Sequence, residues 1–256
     1  MLLTIDIGNT NITLGLFQGK ELAYHWRLAS EHERMPDEYG LQLLGLLAHH
    51  HIQPEDITGA IVCSVVPPLT TTIQQACVAY LKMPLMIMDL ILNTGIEILI
   101  DEPSSVGMDR IVNSVAVDKL YGGPACVIDF GTATTFDIIS EDGDYLGGAI
   151  TAGIGISAQA LSQRTSKLPR VDLKPPPSVI GKNTIHAMQS GILFGYTAMV
   201  EGMVERFRQE LGSHMKVIST GGLAETIARE TKVIQVISPW LTLEGLRFIW
   251  EMNNKQ

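Results

Sequence analysis

Two segments of this chain repeat one pattern, in which an apolar strand ends in Asp, an apolar residue, Gly and small polar residues. Ile5-Asp6-Ile7-Gly8 and Ile128-Asp129-Phe130-Gly131 align without a gap. Each copy continues into a second apolar segment and a glycine-bearing turn. An internal repeat constrains the fold more than any single motif does, so we predict two similar halves whose Asp/Gly turns face a shared cleft.

Each half is predicted to begin with hairpin strands and to continue as alternating helix and strand, which is an α/β fold with mixed sheets. A helix is expected from Met35 through about His50, with Leu41, Leu44 and Leu47 on its buried side. The expected strands of the first half are Leu2–Ile7, Asn11–Phe17, Leu22–Leu28, Gly59–Val66 and Leu85–Met88. The last two are predicted to correspond to strands at 215–222 and 233–237, so we place the domains at 1–115 and 116–256.

Composition limits the classes of function open to this chain. Of its 256 residues, 46% are hydrophobic, and 18 Lys plus Arg against 27 Asp plus Glu give a net charge of −9, which argues against a nucleic-acid surface. Cys63, Cys77 and Cys126 lie apart in apolar segments, as expected for reduced thiols rather than disulfides or a zinc site. With no signal-peptide pattern and no apolar run of membrane-spanning length, we expect a cytoplasmic protein without a membrane partner.

The first Asp/Gly turn contains groups that can bind phosphate. Gly8 allows the backbone to bend closely around a ligand, and the N–H groups that follow it, with the Asn and Thr side chains, are donors for phosphate oxygens. The Asp6 carboxylate beside them suits a divalent metal, held directly or through water. An ordinary hairpin turn stabilised by Asn and Thr side chains explains the same residues, and this stretch alone leaves both interpretations open.

A helix start between the two halves carries adjacent opposite charges. The apolar spacing from Val112 to Leu120 is helical, which puts Gly107–Arg110 at or near the helix N-terminus. In the simpler interpretation, Asp109 only caps the helix. In the other, Asp109 accepts a proton from a substrate hydroxyl and Arg110 binds an anionic group, as phosphoryl transfer to an alcohol requires.

Glycines mark three further segments of the second half. Gly147–Gly155 is predicted to be a turn after the second hairpin, where close backbone approach serves either a ligand or packing. The Pro-rich segment 175–184 is predicted to be a loop that leads into a long helix beginning at Thr184. Gly191 and Gly195 share one face of that helix, which suits either a subunit interface or packing in the domain core.

Six motifs occur in the order seen in type III pantothenate kinases, and this resemblance extends over essentially the whole chain. They are Asp6-x-Gly8-Asn9-Thr10-Asn11, Gly107-x-Asp109-Arg110, Asp129-x-Gly131-Thr132-x-Thr134, Gly147-Gly148-Ala149-Ile150, Ile180-Gly181-x-x-Thr184 and Ser219-Thr220-Gly221-Gly222. The resemblance implies a duplicated actin-like, RNase H-like fold, shared by acetate and sugar kinases, with two mixed-sheet domains around a cleft. It also implies a homodimer that transfers the γ-phosphate of ATP to the hydroxyl of pantothenate, giving 4′-phosphopantothenate in the first step of coenzyme A biosynthesis.

The resemblance also implies roles for individual residues. Asp109 would be the catalytic base that accepts the hydroxyl proton, and Asp129 would bind a monovalent cation, potassium or ammonium. Magnesium would bridge the ATP phosphates near Asp6, and the segment Ser219–Gly222 would lie by the adenosine. ATP would be bound by Asp6, Ile7, Gly8, Asn9, Thr10, Asn11, Ile12, Thr13, Thr132 and Gly221, and pantothenate by Gly107, Met108, Asp109, Arg110 and Thr184.

Two positions depart from the family pattern, and two other functions fit the same motifs. Ile100 stands where the family usually has Tyr, so one expected substrate contact is absent, and Ala152 stands where its glycine-rich segment has Pro.

An actin-fold phosphatase would use Asp109 to activate water. A non-catalytic, nucleotide-binding accessory regulator would need no base at all. Arg110 favours the kinase, because a phosphatase has no need to recognise a small acid.

Overall fold

An apolar run at the N-terminus forms the central strand of the first of two sheets. The computed structural model describes residues 1–254, in which Leu2–Ile7 is strand β1. It pairs antiparallel with β2 (Asn11–Gln18), and β2 pairs antiparallel with β3 (Glu21–Ala29). On its other side β1 pairs parallel with β4 (Gly59–Ser64), followed by β5 (Met86–Ile87), so the order is β3-β2-β1-β4-β5. The hairpin start predicted from the sequence is confirmed.

Helix α1 packs on this sheet through a face that the sequence analysis partly misplaced. It spans Pro36–His49, and its buried side chains include Tyr39, Leu43 and Leu47, which are spaced four residues apart. Leu41, predicted to be buried, is 62% exposed. Leucines occur on both sides of this helix, so their spacing alone does not specify the buried face.

Two other helices near the first sheet follow in the predicted order. Helix α2 covers Pro67–Ala76 and continues as a π-helical turn over Cys77–Leu81, while α3 covers Met108–Leu120. Leu69 and Ile73 of α2 join the core formed with the sheet. Each fully buried side chain of this size contributes about 1.5–3 kcal/mol to folding.

The second sheet repeats the topology of the first. Its strands are β6 (Ala125–Phe130), β7 (Ala133–Ile139), β8 (Tyr145–Ala152), β9 (Lys216–Thr220) and β10 (Val236–Ile237). Their order is β10-β9-β6-β7-β8, with β6 antiparallel to β7 and parallel to β9. Strand for strand this matches the first sheet, which confirms the duplicated α/β plan.

The glycine-rich segment lies inside a strand, which corrects the predicted turn. Gly147 and Gly148 are part of β8 and have φ angles of +106° and +159°. The β7–β8 ladder shifts register beside them, between Ile138 and Ile139. The turn comes only at Gly153, after which helix α4 covers Ile154–Arg164. The strand continues because Gly147 and Gly148 still pair with Ile138 and Asp137 of β7, and only Leu146 is left without a partner in the ladder.

Three helices complete the chain. Helix α5 covers Thr184–Leu211, as predicted, followed by α6 at Ala224–Ala228 and α7 at Leu241–Asn253. Ideal Cβ atoms at Gly191 and Gly195 would meet no described atom within 4 Å, so these glycines do not serve packing within the domain core. None of the helices in residues 1–254 has the length and apolar character needed to cross a membrane.

The chain forms two units whose limits differ from the predicted division at 115/116. The first unit contains residues 1–95, 102–116 and 242–254, and the second contains residues 96–101 and 117–241. Helix α7 belongs to the first unit because Arg247 lies over the Phe17 ring and the Thr242 hydroxyl donates to Asn113 Oδ1 at 2.8 Å. Residues 96–101 belong to the second because the Leu99 N–H donates to the Tyr145 carbonyl at 2.8 Å.

Candidate active site

The first Asp/Gly turn joins β1 to β2 and presents its polar side chains to solvent. The Gly8 N–H donates to the Asn11 carbonyl at 3.0 Å, which closes the turn. An ideal Cβ at Gly8 would lie only 3.2 Å from that carbonyl oxygen. Asn9, Thr10 and Asn11 are exposed. The turn therefore combines a closed backbone with accessible amide and hydroxyl groups, as a phosphate loop requires.

Ser30, which was not among the predicted site residues, stabilises this turn through two hydrogen bonds. Ser30 directly follows β3, and its hydroxyl donates to the Gly8 carbonyl at 2.6 Å. The Ser30 N–H donates to the Thr10 carbonyl at 3.0 Å. The available signal was a lone hydroxyl residue at the end of a predicted strand, which says nothing about its partners.

Asp6 and Asp109 both lie near one buried thiol. In the parallel pairing of β1 with β4, Asp6 is aligned with Cys63. The pKa of the Cys63 thiol is raised well above its usual value, first by burial and then by the negative charges of Asp6 and Asp109. The thiol is therefore neutral near pH 7. The charges of two carboxylates from distant parts of the sequence thus both act on one uncharged side chain of β4.

Asp109 stands in the first turn of α3, where the backbone fixes its carboxylate. The Arg110 N–H donates to Asp109 Oδ1 at 2.9 Å. An ideal Cβ at Gly107 would lie 2.5 Å from the same oxygen, so only glycine leaves room for this arrangement. Burial raises the pKa of Asp109, and it outweighs the Arg110 N–H and guanidinium, which lower it. The carboxylate binds the helix start and has the raised pKa that suits a general base.

The second Asp/Gly turn is built against the segment after β9. Gly221 has a φ of +91°, and an ideal Cβ there would lie 2.5 Å from Asp129 Oδ1 and 2.7 Å from Phe130 N. The structure thus brings Asp129 and Gly221, two predicted site residues, into direct contact. Thr132 is exposed in the turn between β6 and β7. Its carbonyl accepts the Gly153 N–H at 3.2 Å.

Thr184 is the first residue of α5 and is exposed there. The preceding Asn183 caps the helix, because its side-chain oxygen accepts the His186 N–H at 2.9 Å. Gly181 packs so closely on this first turn that a Cβ would collide with the backbone N of Ala187. A capped helix and a close-packed glycine therefore fix the position of Thr184 in the second unit.

The acidic side chains of the candidate site suit a cation that takes part of its coordination shell from oxygens of a bound substrate. Within residues 1–254, no group of three or more His, Cys, Asp or Glu side chains could hold a metal ion by itself. Magnesium is commonly bound by one or two carboxylates together with substrate phosphates. Asp6, at the end of β1 and beside the exposed turn, fits that pattern.

Comparison with known proteins decides the family. Residues 2–206 match the family model described as type III pantothenate kinase. The type III pantothenate kinase of Roseiflexus sp. (strain RS-1) is 51% identical over 253 residues, which is 99% of this chain and 99% of the relative. That of Moorella thermoacetica is 50% identical over 99% of this chain and 100% of the relative. This chain belongs to the type III pantothenate kinase family.

Solved structures of lower identity agree on the fold. A Campylobacter jejuni protein named as a Baf family transcriptional activator superposes with a TM-score of 0.60 at 20% identity, covering 98% of both chains. A Sinorhizobium meliloti protein named as a 2-dehydro-3-deoxygalactonokinase also gives 0.60, at 15% identity, covering 98% of this chain and 96% of that one. Together with the two matching sheets, these likenesses confirm the actin-like fold.

Members of the type III pantothenate kinase family are kinases that phosphorylate pantothenate. This assignment confirms the resemblance on which the sequence analysis relied. Neither the phosphatase nor the accessory regulator is favoured by relatives of about half identity over the full chain.

Proposed function

We propose that this chain transfers the γ-phosphate of ATP to the hydroxyl of pantothenate, producing 4′-phosphopantothenate and ADP in the first step of coenzyme A biosynthesis. Membership of the family supports the reaction. The observation that carries the chemistry is a pair of carboxylates whose charges both act on Cys63: Asp6, beside an exposed turn, and Asp109, in the first turn of α3 with a raised pKa.

Asp109 is the catalytic base of this proposal. The pantothenate hydroxyl oxygen forms a bond to the γ-phosphorus, and the bond from that phosphorus to the β–γ bridging oxygen breaks. The hydroxyl proton moves to the Asp109 carboxylate, and the electron pair of the broken bond leaves with ADP. A base with a raised pKa is better matched to this transfer near neutral pH than an ordinary aspartate is.

The remaining predicted residues bind and orient the substrates. The turn from Asp6 to Thr13 binds the ATP phosphates, and Thr132 and Gly221 also bind ATP. Asp6 would hold magnesium, which would supply positive charge near the ATP phosphates. Pantothenate is bound by the segment from Gly107 through Arg110 and by Thr184, with the Arg110 guanidinium suited to its carboxylate.

Asp129 is the proposed site of a monovalent cation, potassium or ammonium. Its carboxylate oxygen Oδ1 lies against Gly221, which limits how far the carboxylate can move when an ion binds. One carboxylate supplies one negative charge, which matches the charge of potassium or ammonium.

A homodimer is proposed through the exposed face of α5. Small residues repeat along this face, where the glycines leave open space for a second backbone: Ala187, Gly191, Gly195, Ala198 and Gly202. Light scattering tests the dimer, and a mass of one chain would contradict it.

Cytoplasmic location is supported by three free, buried cysteines, which suit a reducing compartment.

A coupled assay of ADP release, with and without pantothenate and with potassium or ammonium varied, tests the reaction and the cation together. We expect release that requires pantothenate and increases with either cation. ADP release that is independent of pantothenate would contradict the kinase and favour the phosphatase.

A further inference from the structure

Ser30 binds the first Asp/Gly turn at two points. The ladder between β2 and β3 ends at the pair Asn11 and Ala29, so Ser30 lies one residue beyond it. Its hydroxyl donates to the Gly8 carbonyl at 2.6 Å, and its N–H donates to the Thr10 carbonyl at 3.0 Å. A distance of 2.6 Å is at the short end of the range for O–H···O hydrogen bonds. Ser30 therefore fixes two peptide groups of the three-residue connection between β1 and β2.

The bond to the Gly8 carbonyl also sets the direction of a donor. The only cis peptide in residues 1–254 is Gly123–Pro124, so the peptide from Gly8 to Asn9 is trans. In a trans peptide the C=O and the N–H point in opposite directions. Because the Gly8 carbonyl points toward Ser30, the Asn9 N–H points away from Ser30.

Tyr39 of α1 holds the segment that contains Ser30. Its side chain is fully buried, and its hydroxyl oxygen accepts the Glu31 N–H at 3.0 Å. The same hydroxyl lies 3.2 Å from the Glu31 carbonyl and 3.4 Å from the Ala29 carbonyl, so its proton is shared between them. The residues on both sides of Ser30 are thereby tied to a helix in the core.

The second unit repeats this arrangement with Tyr196 and Ala152 in the places of Tyr39 and Ala29, and with Gly153 in the place of Ser30. The Tyr196 hydroxyl of α5 lies 3.2 Å from the carbonyl of Ala152, the last residue of β8, as that of Tyr39 lies near the last residue of β3. Gly153 then donates its N–H to Thr132, as Ser30 does to Thr10. Because the same Tyr-to-carbonyl contact lies next to the N–H that bonds the turn in both units, we infer that it supports the turn.

We propose that Ser30 is a positioning residue for phosphate binding and that Tyr39 supports it. This inference rests on the proposed role of the turn from Asp6 to Thr13 in binding ATP. Phosphoryl transfer depends on the positioning of donors around the phosphates, so a turn that moves by a fraction of an ångström binds ATP less well. Pantothenate has no predicted contact with this turn, so its binding does not depend on Ser30.

The test compares Ser30→Ala, Ser30→Thr and Tyr39→Phe with the unchanged protein. Calorimetry measures the Kd for ATP with magnesium in the absence of pantothenate, and steady-state kinetics measures KM for each substrate. Loss of one hydrogen bond that orients the turn should raise the Kd and KM for ATP about 10-fold in Ser30→Ala. We expect KM for pantothenate to change less than about 2-fold, Ser30→Thr to restore ATP binding, and Tyr39→Phe to raise the Kd about 3-fold.

Thr58→Ala is a matched control at the opposite end of β1. Thr58 also donates both its N–H and its hydroxyl to one carbonyl, that of Met1, at 2.8 and 3.3 Å. This variant should lower thermal stability without changing either KM. ATP constants within about 2-fold of the unchanged protein in Ser30→Ala, or both KM values rising together, would overturn the positioning role. If the unchanged protein released no ADP with pantothenate, the proposed reaction would fail, while the calorimetric Kd would still decide the role of Ser30.

Discussion

The two Asp/Gly turns occupy the same place in their sheets and are held in different ways. Ser30 supports the first turn through its N–H and its hydroxyl. By strand register its counterpart is Gly153, whose N–H also donates to the turn, at Thr132. An ideal Cβ at Gly153 would lie 2.6 Å from the Gly131 carbonyl, so no side chain fits there. The second turn is supported by direct backbone approach, whereas a hydroxyl bridges the wider gap in the first.

The carboxylates of the two turns also meet different surroundings. Asp6 is aligned with Cys63 and shares that thiol's neighbourhood with Asp109. Asp129 is aligned with Thr220 and is packed against the backbone of Gly221. The two sheets therefore share one topology, and the two carboxylates differ in what they contact: Asp6 is aligned with a buried thiol, and Asp129 lies against a glycine backbone.

The largest expected effect is on turnover, through Asp109, whose charge reaches the neighbourhood of the first turn. Asp109→Asn should lower kcat by about 10²–10⁴-fold and leave the Kd for ATP unchanged, because it removes the proposed base and alters neither Asp/Gly turn. Steady-state kinetics and ATP calorimetry measure this split. Asp56→Asn is the control, since Asp56 also accepts a backbone N–H at a helix start, from Gln53 at 2.9 Å. Near-normal turnover in Asp109→Asn would remove the residue from its role.

The same variant should be more stable than the unchanged protein near neutral pH. Burial raises the pKa of Asp109 above its unfolded value, so keeping it charged costs stability at a pH above the folded pKa. That cost is absent below the unfolded pKa of about 3.9. Calorimetric melting should therefore show a higher Tm for Asp109→Asn at pH 7.5 and a smaller difference in acid. A lower Tm at pH 7.5 would show that the carboxylate stabilises the fold.

Gly153→Ala tests the close backbone approach of the second turn. The new Cβ would meet the carbonyls of both Gly131 and Thr132, so we expect a loss of about 1–3 kcal/mol in the free energy of unfolding and weaker ATP binding. Urea denaturation measures the stability. Ser30→Ala, where a Cβ already exists, should be less destabilising; equal losses would show that the two turns are supported alike.

Replacing potassium by a large organic cation should lower turnover by a smaller factor than Asp109→Asn does. We expect this loss in the unchanged protein and not in Asp129→Asn, which has already lost the site. Asp6→Asn should keep its response to potassium and need more magnesium. A full potassium response in Asp129→Asn would place the cation elsewhere.

The smallest expected effect is a shift in the acid limb of the pH–rate profile. Only the deprotonated Asp109 accepts a proton, so kcat/KM should fall as pH decreases through the pKa of this residue. Since burial raises that pKa, the fall should occur above the usual aspartate value of about 3.9. A profile that stays flat down to that value would contradict the raised pKa.

The sequence predicted what depends on local pattern and repetition. The strands at both Asp/Gly turns, the start of α3 near Asp109 and the start of α5 at Thr184 follow from apolar spacing and capping residues. Ser30 and Tyr39 were missed because their partners are set by strand register and tertiary packing. The placement of α7 was missed for the same reason, since Arg247 contacts Phe17, which lies near the other end of the sequence. Leu41 was misplaced because apolar residues occur on two sides of α1.

The most direct test of the central claim is mass-spectrometric detection of product from ATP and pantothenate. We predict one 4′-phosphopantothenate for each ADP formed by the unchanged protein, and about 10²–10⁴-fold slower formation of both by Asp109→Asn. Formation of ADP and inorganic phosphate without phosphopantothenate would contradict the account.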